Sequence, residues 1–244
     1  MSICRFSFNI KNWAIVCSKK LEADDWKRGE VFWQESAVNF EDISPKLTFL
    51  PPLKRRRLSP SARLFFESAW ELLGENKNIP VVYASSNGEI NRNFELWHSL
   101  LTEGDVSPTS FSLSVHNALV GQWSELSGVK AEITALTAQQ DNLEIALLEA
   151  YLLLNEGIKQ VLVVVAESPL GDLYNASPVY RQPFSYALSL LVEKGDDYTL
   201  VLDEYEGDSS GSDNALTWVK HQYLSIKKWQ TKSSIKGTWQ WGKN

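Results

Sequence analysis

Two adjacent glutamines, Gln139 and Gln140, stand in the stretch Thr137-Ala-Gln-Gln-Asp-Asn-Leu-Glu144, at the head of an apolar run that reads as a helix from Asp141 to about Glu156. A helix N-terminus offers unpaired N–H groups and a positive potential. A thiol placed there ionises more readily and becomes a nucleophile. An amide has no such proton to lose, so the same field cannot activate it. It can still donate and accept hydrogen bonds, to strand ends or to a bound carbonyl or carboxylate. The bland alternative is that both glutamines only close the helix end, and the residues alone leave both readings open.

The other reactive residue types form no convincing constellation. His98, His116 and His221 are scattered; His116, in SVHNA, falls on a small-residue helix and reads as a packing or interface residue. Asp203, Glu204 and Glu206 alternate on an expected strand, where a solvent-facing edge that discourages aggregation is the simpler reading than a metal site. Gly-Asp-Ser-Ser-Gly at 207–211 lacks the strand–turn–helix setting of a serine nucleophile. Cys4 and Cys17 have no metal-ligand spacing and read as reduced, partly buried thiols. Neither a metal nor another cofactor is expected. The basic run Lys54-Arg-Arg-Arg57 has three readings: a solvated turn, a nucleic-acid patch, or a docking point for an acidic protein. A net charge of -6 and a pI near 5.2 weigh against nucleic acid, which needs a broad basic face.

The elements that must position these residues alternate. Residues 3–17 read as a strand or bent pair, 79–86 as a buried strand, 131–138 as an alternating strand, and 160–168 as an apolar central strand covered on both faces. Between them, Ser59-Pro60 starts a helix that Gly74 ends, residues 91–101 form another, and 111–121 a third that stops near Gly121. Residues 184–194 and 198–206 suggest two strands joined by a Gly-Asp-Asp hairpin turn. A flexible 207–214 loop, a helix over 215–226 and a short strand at 237–242 follow. The expectation is an α/β domain with a mainly parallel, mixed sheet flanked by helices. With 43% hydrophobic residues and ten tryptophans, the chain carries more apolar area than an ordinary monomer needs, which suggests a partner. No run reaches the ~18 apolar residues of a membrane span, and the N-terminus lacks a secretory h-region, so a cytoplasmic location is expected.

The order of these pieces resembles the first half of the thiolase-like β-ketoacyl synthases. In that family a strand ends in a Thr-Ala-Cys-like tripeptide, the cysteine heads a buried helix closed by glycine, and a valine-rich strand ending in Ala-Glu follows. ITALTA, Gln139-Gln140, DNLEIALLEAYLLLNEG and QVLVVVAE stand in that order here. Aligned through Ala150, Gly157 and Val161, Gln140 takes the nucleophile position; aligned through Thr137-Ala138, Gln139 does. The gapless helix favours Gln140. RRLSP, SSNGEINR and SPTSFSLSVHNALVGQ extend the likeness to the short chain length factors of aryl polyene clusters, over roughly residues 1–206, with 207–244 as an extension packed on the same domain.

The resemblance implies a thiolase-like half-fold without the catalytic histidines and lysine that ketosynthases bring from their second half. It therefore implies a non-catalytic subunit paired with a competent ketosynthase, which it would stabilise while limiting acyl or polyene length. Strand 131–138 and helix 111–121 would form the pairing face. Phe111, Leu113, His116, Asn117, Trp123, Ile133 and Ala135 would line the interface or the end of the acyl channel. Acyl carrier protein is a further implied partner, with Arg55, Arg56, Arg57 and Arg63 as its docking residues. The alternative is a malonyl-carrier-protein decarboxylase using the glutamine.

Overall fold

The apolar run after residue 159 forms β4 (Gln160–Glu167), buried from Val161 onward. Its side chains alternate between two cores: Val161, Val163 and Val165 face one, Leu162, Val164 and Ala166 the other. Period-two alternation with both faces apolar is what a central strand between two helical layers requires. The computed structural model that shows this describes residues 2–171, 174, 182–204, 212–234 and 236–244.

Strand β2 (Val81–Ala84) lies between β4 and β3 (Ile133–Leu136), parallel to both, which leaves β3 at the sheet edge. On the other side β5 (Tyr186–Asp203) runs antiparallel to β4 and pairs along its length with β1 (Ser2–Cys17). The far half of β5 also pairs with β7 (Thr238–Lys243), and β7 with β6 (Lys228–Lys232), completing a seven-stranded sheet. The sheet is mixed, but parallel pairing is confined to β3, β2 and β4. The remaining strands join antiparallel, which needs no crossover helix.

The expected Gly-Asp-Asp hairpin is a bulge instead. Phe8 pairs with Tyr198 and Asn9 with Glu193, so residues 194–197 are extra on β5 while β1 runs straight past them. The Asn9 side chain supplies the missing ladder bond, accepting from the Asp197 N–H at 2.9 Å. A Cβ on Gly195 would fall on that side chain, so only glycine fits this approach.

One sheet face is covered by α4 (Pro60–Leu73) and α7 (Ala118–Ser127). As the Ser-Pro start predicts, the Ser59 hydroxyl accepts from the Ala62 N–H at 3.1 Å, with Pro60 at the first helical position. The other face carries α8 (Asn142–Asn155), α9 (Asn214–Tyr223) and two short helices, α1 (Ala23–Arg28) and α2 (Glu30–Ser36). Trp26 and Trp33 from α1 and α2 are buried against Phe184. Through α9, β6 and β7, the C-terminal section continues the same sheet and core rather than standing apart from them.

The single helix expected over 111–121 is two: α6 (Pro108–Ser112) and α7, separated by residues 113–117. Ser112 and Ser114 donate to the carbonyls of Thr109 and Phe111, which competes with helix continuation. Gly121 lies inside α7, and Gly128, at φ 77°, ends it. His116 accordingly sits in the connection, not on a helix. The short α3 (Pro52–Arg55) holds part of the basic run, and α5 (Ile90–Glu103) buries none of its residues. Among the described residues, no helix is long and apolar enough to cross a membrane.

Candidate functional site

Strand β3 delivers the chain to Thr137-Ala138, a tight turn over Gln139–Asp141 reverses it, and α8 starts at Asn142. Gln139 takes the strained left-handed backbone at φ 53°, a rare conformation for a residue with a side chain. The turn is held from both sides. The Asn142 amide accepts from the Ala138 N–H at 2.7 Å and donates to Ser86 Oγ at 2.9 Å and to the Glu167 carboxylate at 2.8 Å. The Asp141 carboxylate accepts from Ser233 Oγ at 2.9 Å and from the Ser234 N–H at 3.0 Å, in the turn after β6.

Both glutamines open onto a cavity of about 590 Å³, together with Asn142, Glu167, Tyr186 and Asp213. Glu167 ends β4 and is buried, yet four donors converge on it: the N–H groups of Ser86 and Asn87 at 2.5 and 3.3 Å, Ser85 Oγ at 3.2 Å, and Asn142. Burial pushes its pKa up to about 7, with the Ser86 N–H pulling the other way. Asp213 caps α9 through the Leu216 N–H at 3.0 Å and accepts the Tyr186 hydroxyl at 2.8 Å; burial raises it to about 6. Behind the cavity wall, on the first turn of α8, Glu144 is fully buried. One oxygen accepts from Thr231 Oγ1 at 2.6 Å, and burial raises the group to about 8, with the Thr231 hydrogen bond pulling the other way.

The described lining is thus mostly amides, hydroxyls and carboxylates around a helix head, with Lys232 and the apolar Leu143, Val165 and Ala215 among them. It can hold a polar group by hydrogen bonds. None of its amides can act as an ionised nucleophile there. Glu167, Asp213 and Tyr186 were not among the expected site residues. The legible signal for Glu167 is that it is the one acid closing an otherwise apolar central strand.

The expected partner-facing residues divide. Phe111 is 62% exposed and Asn117 is exposed, while Leu113 and His116, before α7, and Ile133 and Ala135, on β3, are half-buried. Trp123, expected at the partner face, does not reach it. It is wholly enclosed, edge-on to Phe65, Phe66 and Trp70, because the break before α7 turns that side chain into this chain's own core. It has no surface to offer a partner. The helix expected over 91–101 is α5, and it exposes Trp97, Leu100 and Leu101.

The arginines divide as well. Arg55 donates to the Lys46 carbonyl at 2.8 Å and Arg63 to those of Arg55 and Pro45 at 2.7 and 3.3 Å, so both guanidiniums brace the local backbone. Arg56 and Arg57 are exposed. His98 lies exposed on α5; His221 on α9 bonds the Thr217 carbonyl through Nδ1 and stacks on Trp229. Glu206 and the 207–211 serines lie outside the described residues.

A mixed sheet between helical layers, with an edge strand leading through a strained turn into a buried helix, defines the thiolase-like fold. The chain matches the family of the β-ketoacyl synthase N-terminal domain over residues 25–242, β6 and β7 included, and belongs to that family. Among solved structures it is similar to a chain of a ketosynthase in complex with its chain length factor from Xenorhabdus doucetiae, at 22% identity and TM-score 0.79, covering 98% of this chain and 100% of that one. It is also similar to the ishigamide ketosynthase/chain length factor, at 13% identity and TM-score 0.61, covering 91% and 74%. A β-ketoacyl synthase from Burkholderia phymatum matches at 14% identity and TM-score 0.56, covering 93% and 71%. No curated protein matches the chain.

Proposed function

We propose that this chain is the non-catalytic chain length factor of a heteromeric β-ketoacyl-carrier-protein synthase. The observation that carries the reading is the turn over Gln139–Asp141: strand, strained backbone and buried helix are kept, but amides occupy the head. Gln140 is the former nucleophile position of this reading, with Gln139, which carries the positive φ, the alternative. Support also comes from size, since a chain of a ketosynthase–chain length factor complex is spanned end to end by nearly all of this one.

The pairing face combines β3, which among the described residues has a strand on one side alone, with Phe111, Leu113, Val115, His116 and Asn117, and with the exposed apolar side of α5. Apolar surface of this kind marks an interaction site rather than a solvated one. The partner is a catalytically competent ketosynthase. Exposed Phe111 can stand at the end of its acyl channel, where a growing chain meets atoms rather than space and elongation stops. The exposed pair Arg56 and Arg57 steers an acidic acyl carrier protein. Aryl polyene assembly in the cytoplasm is the setting in which we place it.

Co-expression with a matching ketosynthase should yield a stable stoichiometric complex. A chain that purifies as a stable monomer with no affinity for that enzyme overturns the reading.

A further inference from the structure

Glu167 gathers more than the turn. Three of its four donors belong to the loop 85–87, between β2 and α5, and the fourth is Asn142 at the head of α8. The loop then holds His116: the ring Nε2 lies 2.9 Å from the Ser85 carbonyl, which can only accept, so Nε2 carries the proton. Gly88, at φ 51°, leaves room for the ring, since a Cβ there would meet the His116 Cδ2 at 3.1 Å. The Gly88 N–H donates back to Ser85 Oγ at 2.8 Å and closes the loop on itself. Asn93 of α5 adds a second tie, donating to the Ser114 carbonyl at 3.4 Å. Residues 113–117, the connection that exposes Val115 beside Phe111, thus rest on a loop whose shape is fixed by one buried carboxylate.

We propose that Glu167 is a positioning residue for the partner face, holding loop 85–88 so that its Ser85 carbonyl and Gly88 seat His116 and thereby residues 113–117. The proposal rests on the pairing reading above. Ionised, as it is above about pH 8, the carboxylate suits the task because it accepts four hydrogen bonds with no donor of its own, and both arms of the test are run there. Glu167→Gln keeps the size but turns an NH₂ toward groups that also donate, and the loop must shift to relieve that conflict.

The test has two arms. In the isolated chain, nuclear magnetic resonance of the histidine ring nitrogens should show His116 as the Nε2-protonated tautomer with a hydrogen-bonded signal, and Glu167→Gln should lose that signal while the chain stays folded. In titrations against the matching ketosynthase, Glu167→Gln and His116→Phe should each weaken binding about tenfold, and the double variant no further, because both break one path. An unchanged His116 signal in Glu167→Gln, or additive losses in the double variant, overturns the proposal. Where Glu167→Gln fails to fold, His116→Phe decides alone, and wild-type affinity in it overturns the link. A wild-type chain that does not bind the ketosynthase removes the pairing reading instead, and the ring signal still reports on Glu167.

Discussion

Glu144→Gln should stabilise the chain at neutral and alkaline pH while leaving it nearly unchanged at pH 4. The Glu144 side chain is wholly buried at the start of α8, and burial moves its pKa from an ordinary 4.5 up to about 8. Between those values the folded chain keeps a proton that the unfolded chain has released. Stability is therefore fully present below pH 4.5, falls as pH rises, and levels off above pH 8. At ~1.4 kcal/mol per unit, the site alone removes about 3 kcal/mol between pH 4.5 and 7. Glutamine keeps an acceptor for Thr231 Oγ1 and cannot ionise. Urea unfolding of both proteins at pH 4, 6 and 8 reads the difference directly. Glu167 and Asp213 are shifted the same way, so the slope of the wild type alone does not isolate Glu144; the difference between the two proteins does. Equal pH slopes in wild type and variant would refute the reasoning.

Trp123→Ala should cost about 3–5 kcal/mol in urea unfolding, since it empties a fully buried aromatic site; exposed Phe111→Ala should cost under about 1 kcal/mol and act on partner binding instead. Asp213→Ala removes the α9 cap and leaves the Tyr186 hydroxyl without that acceptor, a loss of about 2 kcal/mol. That loss should be largest near pH 4 and narrow as pH rises toward 6, because the ionised buried Asp213 is itself unfavourable; a cost that grows over this range would contradict the burial argument.

The helices α4 and α8 and the strand β4 were readable because local signals agree with the fold: a Ser-Pro start, long apolar periodicity, and a run with no polar break. Other elements needed information that sequence does not carry locally. Gly195-Asp-Asp197 has hairpin chemistry, but the ladder to β1 passes the bulge because a distant Asn9 side chain replaces a backbone partner. The pattern KWQTK is too short and polar to announce β6, and its place is set by pairing with β7. Trp26 and Trp33 bury only when α9 and Phe184 are folded beside them. At the site, the glutamine pair and its helix were evident from residue order. The burial of Glu167 and Asp213 was not, since those carboxylates come from chain segments about 45 residues apart and owe their shifted pKa values to tertiary enclosure. The same limit applies to Trp123, whose helix face depends on where α6 stops.

A non-catalytic subunit and its catalytic partner differ most directly in where an acyl group goes. The complex of this chain with its matching ketosynthase, incubated with an acyl-loaded carrier protein and resolved by intact-mass spectrometry, should carry the acyl mass on the ketosynthase chain alone. An acyl adduct on this chain, in the complex or by itself, would contradict a non-catalytic subunit built around Gln139 and Gln140.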